Sequence, residues 1–263
     1  MLINGKYTHH YTVTAADMNS DYRLTPGAVL LYVQDCWARF MAVHHLAAFD
    51  IVKQGKIWVI SEFHVCFMSV ETFWSDELEV SVWNSECSTA RLYSDFCIRN
   101  AEKDVVLAKG YACWNVLDSD TKRIERINLL PGLPALVLEM TLGSHRWVRD
   151  NRSGERIESV QHVVNRLDLD FNGHVNNRSY LNIAMMTAPD DFLRTHAPES
   201  LHLQWLHETF MGDTIRCDLH RIEDSSGEYL HCLYSGGTSV ATIRSVWSPR
   251  TNCREVAESV GRK

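Results

Sequence analysis

The chain repeats itself, and the repeat limits what it can fold into. "ETFWSDEL" (71–78) returns as "ETFMGDTI" (208–215), with Glu-Thr-Phe, an Asp and an apolar residue in the same register. Downstream, "AKGYACWN" (108–115) has a looser counterpart in "ATIRSVWS" (241–248), each with Trp seventh. Upstream, "AADMNSDYRLTPGAVLLYVQD" (15–35) lies over "LDLDFNGHVNNRSYLNIAMM" (167–186), which pairs Asp17 with Asp170 and Asn19 with Asn172. Three matches in one order predict two similar modules, each of which must bury its own apolar surface. They are expected over 1–125 and 160–250, with a Pro-containing linker over 126–159 and a tail over 251–263.

Each module reads as a short strand and polar turn, then a helix, then several strands. Thr25 and Pro26 supply an N-cap and a first-turn proline. Leu30, Val33, Trp37, Phe40, Met41 and His44 then recur at helical spacing, which makes one apolar face. Strand patterns follow at 58–68, 77–84, 90–98 and 105–116, with period-two alternation at Leu78, Val80 and Val82. The second module has a shorter helix, stopped near Pro189, and strands at 201–209, 213–222, 228–235 and 238–248. One helix followed by an antiparallel meander is best buried by wrapping the sheet around the helix, so the fold class is α+β, a tandem of helix-wrapped sheets.

Composition excludes some classes. No apolar run approaches the roughly 20 residues that cross a bilayer, and the start lacks secretory or import-signal chemistry, so a cytoplasmic protein is expected. The eight Cys are scattered singly without metal-like spacing, which predicts reduced thiols and no metal site. A formal charge of −7 argues against nucleic acid as a partner. Five Arg nevertheless gather at Arg146, Arg149, Arg152, Arg156 and Arg166, either as a solvated linker surface or as a docking patch for an acidic partner.

The chemistry concentrates in "LDLDFNGHVNN" (167–177). Asn172-Gly173 is a turn signal, and Asn176 or Asn177 can cap the helix that carries Tyr180, Ile183 and Ala184. A turn and a cap do not by themselves require Asp170, Asn172 and His174 together. Their i, i+2, i+4 spacing, if extended, points all three side chains to one side. They also precede a helix N-terminus, where free N–H groups favour developing negative charge. In the alignment above, the first module offers Asp17, Asn19 and Asp21 but no His, so the second is expected to be the active one. Glu71 and Glu208 match as well, and a Glu entering an apolar strand needs a partner or a use.

"LDLDFNGHVNNRSYL" with "HETFMGD" about thirty residues on resembles the fatty acyl-[acyl carrier protein] thioesterases, and it does so over nearly the whole chain. The resemblance implies a tandem (double) hotdog fold and hydrolysis of the acyl carrier protein thioester to free fatty acid. By it, Asp170, Asn172, His174 and Glu208 fall on catalytic positions. Plant members carry Cys after this Glu, once proposed as a nucleophile; here the residue is Thr209, which leaves a Cys-His mechanism without its thiol. A bacterial-type member is expected. The first module would supply the acyl pocket, with Trp37, Phe40, Met41, Trp58 and Phe63 as substrate-binding candidates beside a reading as plain core. The five Arg would meet the carrier protein. No cofactor is implied, and monomer and homodimer are both compatible. An acyl-CoA thioesterase, or an acyl-carrier binding module without catalysis, are the alternatives.

Overall fold

The computed structural model describes residues 1–145, 154–222 and 225–250, apart from Ser69, Glu71 and Ser226. Its contacts divide the chain into two compact units, residues 1–151 with 202–208, and residues 152–201 with 209–263.

In the first unit six antiparallel strands run in the order β1-β2-β4-β5-β6-β3. They are β1 (Leu2–Ile3), β2 (Lys6–Thr12), β3 (Lys56–Phe67), β4 (Glu77–Cys87), β5 (Leu92–Asn100) and β6 (Val105–Asp118). Helix α1 (Pro26–Val43) starts as expected: the Thr25 hydroxyl accepts the Ala28 N–H at 3.2 Å, and Pro26 occupies the first helical position. It packs on β2 and β4, burying Leu30, Val33, Trp37, Phe40 and Met41. His45, at φ 57°, breaks the helix, and a short α2 (Ala48–Ile51) follows before Gly55 turns the chain into β3. Strands β3 and β6 pair closely at one point because residue 110 is Gly: a Cβ there would stand 1.9 Å from the His64 carbonyl oxygen.

The two faces of this sheet differ. Tyr7, Val82 and Phe96 share the face toward α1, where Tyr7 stacks on Phe40 at 6.1 Å. Trp83, Asp95 and Tyr111 share the other. Part of the expected linker lies pinned across that second face. Val137 N donates to Asn84 O at 2.9 Å, and the Trp83 indole donates to Glu139 O at 2.8 Å. Thr141 gives both its N–H (2.6 Å) and its hydroxyl (2.7 Å) to Asp95 Oδ1, and His145 Nε2 lies 2.7 Å from Asp95 Oδ2. Leu142 packs on Tyr93, Tyr111 and Cys113.

The second unit orders its strands β8-β11-β10-β9-β7. These are β7 (Gly154–Val163), β8 (His196–Trp205), β9 (Thr214–Ile222), β10 (Glu228–Ser235) and β11 (Thr238–Pro249), with the dividing line between units falling inside β8. Helix α3 (Asn177–Met185) packs on β9, β10 and β11, and a one-and-a-half-turn α4 (Asp190–Thr195) restarts after Pro189. β8 begins and ends earlier than the expected 201–209. It stops at Trp205, so Glu208 stands in a loop and is exposed, and the Thr209 carbonyl beyond it accepts Val175 N. Among the described residues no helix is long and apolar enough to cross a membrane.

Candidate active site

The segment between β7 and α3 is a chain of small polar turns. Asn165 caps a short helical turn, Arg166–Asp168, by accepting Leu167 N at 2.9 Å, and Asp168 accepts Asn165 N in return at 2.9 Å. Asp168 also takes His162 Nε2 at 2.8 Å. The chain then reverses over Asp170–His174. Asp170 N donates to His174 O at 2.8 Å, Gly173 N donates to Asp170 O at 3.1 Å, and Gly173 sits at φ 79°, a conformation suited to glycine. One Asp170 oxygen accepts Asn172 N (2.8 Å) and His174 N (3.3 Å). The Asn172 side-chain amide approaches the other at 3.4 Å.

The extended, one-sided arrangement expected for Asp170, Asn172 and His174 is therefore replaced by a tight turn. Asn-Gly reverses the chain before alternation can operate, and the Asp170 carboxylate satisfies the turn's own N–H groups. The three still share one turn. Asn172 is exposed, while Asp170 and His174 are half-buried, and the His174 ring stands edge-on to Phe210 at 5.2 Å. Asn176 N donates to Asp168 O at 2.7 Å, and the Asn176 side chain caps α3 through Arg178 N at 2.9 Å. Phe210 N is held by Asp213 at 2.9 Å. Thr209, 1% exposed, shares a 2.7 Å hydrogen bond with Tyr180 OH. Sequence reading used Tyr180 only as a helix-face residue; a Tyr on the helix and a hydroxyl residue directly after the Glu were the available signal.

The first unit builds the same turn, two residues out of the register that the letters suggest. Asn19 N donates to Arg23 O at 2.8 Å, and the Asn19 side chain accepts Asp21 N and Arg23 N, each at 3.0 Å. Thr25 N donates to Asp17 O at 2.8 Å, as Asn176 N does to Asp168 O, and Asp76 holds Phe73 N at 3.1 Å. Asn19 thus stands where the second unit has Asp170, Asp21 where it has Asn172, and Asp17 where it has Asp168. The residue in the place of His174 is Arg23.

The remaining expected residues are spread out. Trp37, Phe40, Met41 and Phe63 are buried in the core of the first unit, and Trp58 is half-buried. Trp37 stacks on Trp114 at 3.6 Å and meets Trp58 edge-on at 5.0 Å, and Phe63 stacks on Phe96 at 5.2 Å. Arg156 on β7 and Arg166 are exposed; Arg146, Arg149, Arg152 and Glu71 lie outside the described residues. Among the described residues no group of three or more His, Cys, Asp or Glu is arranged to hold a metal ion. Burial pushes the thiols of Cys36 and Cys217 up to about 12 and that of Cys113 to about 11, the reverse of what a thiolate nucleophile needs.

Two sequence models match, the acyl-ACP thioesterase N-terminal domain over residues 4–129 and the acyl-ACP thioesterase C-terminal domain over residues 151–249. Plant relatives include an oleoyl-acyl carrier protein thioesterase of Coriandrum sativum, 23% identical over 62% of this chain and 47% of its own length. A dodecanoyl-[acyl-carrier-protein] hydrolase of Cinnamomum camphora is 24% identical over 76% of this chain and 55% of its own. The chain thus spans about half the length of these relatives. Among solved structures, an acyl-ACP thioesterase from Bacteroides thetaiotaomicron superposes with a TM-score of 0.82 at 13% identity, covering 93% of this chain and 98% of that one. The 12:0-ACP thioesterase from Umbellularia californica superposes with a TM-score of 0.79 at 18% identity, covering 95% and 100%. These likenesses show the fold, a tandem hotdog of α+β class.

Proposed function

The chain belongs to the acyl-ACP thioesterase family, and from that membership we propose that it hydrolyses fatty acyl-acyl carrier protein to free fatty acid and the carrier thiol. The observation that carries the reading is the Asp170–His174 turn at the foot of α3, present in both units but bearing an imidazole in only one.

Thioester hydrolysis needs a water made nucleophilic, a donor set for the carbonyl oxygen and a proton for the leaving thiolate. Asn172 and the N–H groups at the start of α3 are the oxyanion donors in this reading, because helix N-termini carry unsatisfied N–H groups. His174 and Glu208 orient and deprotonate the water. The hydroxide bonds to the acyl carbon, the tetrahedral oxyanion collapses, the C–S bond breaks, and the sulfur leaves with the proton that His174 collected. Asp170 holds the turn. Its carboxylate already accepts two backbone N–H groups, which draws charge from the oxygens and favours attack by water over attack by Asp170. In a single turnover in labelled water, oxygen should enter the fatty acid and not the enzyme; label in an Asp170 carboxylate reverses the assignment.

The acyl chain is assigned to the first unit, beside Trp37, Phe40, Met41, Trp58 and Phe63, and the carrier to the Arg-bearing surface that includes Arg156 and Arg166. Release of fatty acid from carriers of graded acyl length tests the reading. His174→Ala and Glu208→Gln are each expected to lower kcat by about 100-fold or more. Equal rates for all three proteins defeat the assignment of His174 and Glu208, and release from acyl-CoA alone favours the acyl-CoA thioesterase over the carrier-protein reading. Carrier affinity should fall with added salt and in Arg156→Ala/Arg166→Ala.

A further inference from the structure

Glu208 is followed by a residue that is tied down at both ends. Thr209 O accepts Val175 N at 3.0 Å, and Thr209 Oγ1 shares a 2.7 Å hydrogen bond with Tyr180 OH on the first turn of α3. Val175 is the residue directly after His174, and His174 itself bridges to Phe210, the residue after Thr209. Asp213 then fixes Phe210 N, and Gly212 N returns to Val164 O at 2.9 Å. Thr209 and Tyr180 are 1% and 3% exposed, so their hydroxyls are engaged with each other inside the second unit and are not presented to a substrate.

The first unit supplies a control. Thr72 stands where the second unit has Thr209, and it is likewise buried. In the register fixed by the two turns, the position of Tyr180 on α1 is Val29, which has no hydroxyl to offer. The unit with Arg23 in place of the His thus keeps the Thr and has Val29 where the second unit has Tyr180. The hydroxyl pair occurs in the unit that carries the imidazole.

We propose that Tyr180 and Thr209 are positioning residues for the hydrolysis, holding the backbone next to Glu208 and the segment next to His174 in their reactive register through one buried hydrogen bond. Thr209 is not a nucleophile. The proposal rests on the thioesterase reading above. Misplacing a catalytic group by about an ångström costs on the order of 100-fold in rate, whereas the pair is buried and offers no surface of its own to a carrier.

The test is steady-state hydrolysis of acyl-acyl carrier protein by the full chain and five variants, with melting temperature measured on each. Tyr180→Phe and Thr209→Val should lower kcat by about 10- to 100-fold with KM within about twofold of the parent. Thr209→Ser keeps the hydroxyl and should recover kcat to within about threefold. The double variant Tyr180→Phe/Thr209→Val leaves no unpaired hydroxyl, so its melting temperature should return toward that of the parent while kcat stays low. A structural role alone predicts the opposite, kcat recovering with stability. Parental kcat in the double variant or in Thr209→Val overturns the proposal. His174→Ala separates the two readings: a parent that releases no fatty acid sinks the thioesterase reading and this proposal with it, whereas an active parent matched by His174→Ala sinks the site assignment and the positioning role that depends on it.

Discussion

Removing the His145 side chain should detach the segment that crosses the outer face of the first sheet. The imidazole is 2% exposed and lies between Asp95 (2.7 Å, 0% exposed) and Glu86 (3.1 Å, 47% exposed), stacked on Tyr93 at 4.7 Å. Deleting one partner of a buried ion pair costs about 3–5 kcal/mol, because the other charge stays buried. Asp95 keeps three donors, the Ser85 hydroxyl and the Thr141 N–H and hydroxyl, which places His145→Ala near the low end, at about 3 kcal/mol. For a protein of this size that lowers the melting temperature by about 6–12 °C. Trp83, whose indole donates to Glu139 in the same segment, gives a fluorescence reading of the event. The effect must also depend on pH. Burial alone pulls the His145 pKa down, but the hydrogen bonds and charges of Asp95 and Glu86 outweigh it and leave it raised. Its stabilising contribution is then complete below the unfolded value of about 6.5 and is lost as pH rises through the folded value. Burial likewise pushes the Asp95 pKa up, yet the bonds from His145, Ser85 and Thr141 leave it lowered, so its contribution is lost only as pH falls through that depressed value. The parent-minus-variant difference should be largest between about pH 4 and 6.5 and shrink toward pH 9. A difference under about 1 kcal/mol, or one that grows on the alkaline side, refutes the ion-pair reasoning.

Two further outcomes follow from buried groups. His231 is enclosed between the Thr187 hydroxyl (3.2 Å) and the Ser245 hydroxyl (3.0 Å), and burial depresses its pKa to about 4. The unfolded chain takes up the proton first, so up to about 3 kcal/mol of stability should drain away between pH 6.5 and 4, and urea midpoints should lose that slope in His231→Gln. Phe40→Ala empties a fully buried site on α1 and should cost about 3–5 kcal/mol by denaturant titration. A shift of its released acids toward longer chains would place Phe40 on the acyl path; an unchanged profile would leave it as core.

The tandem architecture was legible because each unit announces itself locally: Thr25-Pro26 starts one helix, Asn176 caps the other, and alternation at Leu78, Val80 and Val82 marks a strand. The segment from Val137 to His145 was not, because its ties to Asn84, Trp83 and Asp95, two of them through the backbone, span about fifty residues and leave no period in the sequence. The same holds for Glu62, buried at 3% exposure, which takes Tyr111 OH at 2.8 Å and His202 Nε2 at 2.6 Å from 140 positions away. The repeat itself misled by two residues, and for a chemical reason. Matching letters pairs Asp17 with Asp170, whereas the hydrogen bonds pair Asn19 with Asp170. Asp and Asn side-chain oxygens accept turn N–H groups equally well, so the geometry was kept while the letter changed. The corrected register alters what the first unit lacks. Its turn has a residue at the His174 position, and that residue, Arg23, carries a guanidinium, which has N–H donors and no acceptor. It can hold an anion but cannot accept a proton from water. The difference between the two turns is therefore one of side-chain chemistry: an imidazole in one unit, a guanidinium in the other, on the same backbone.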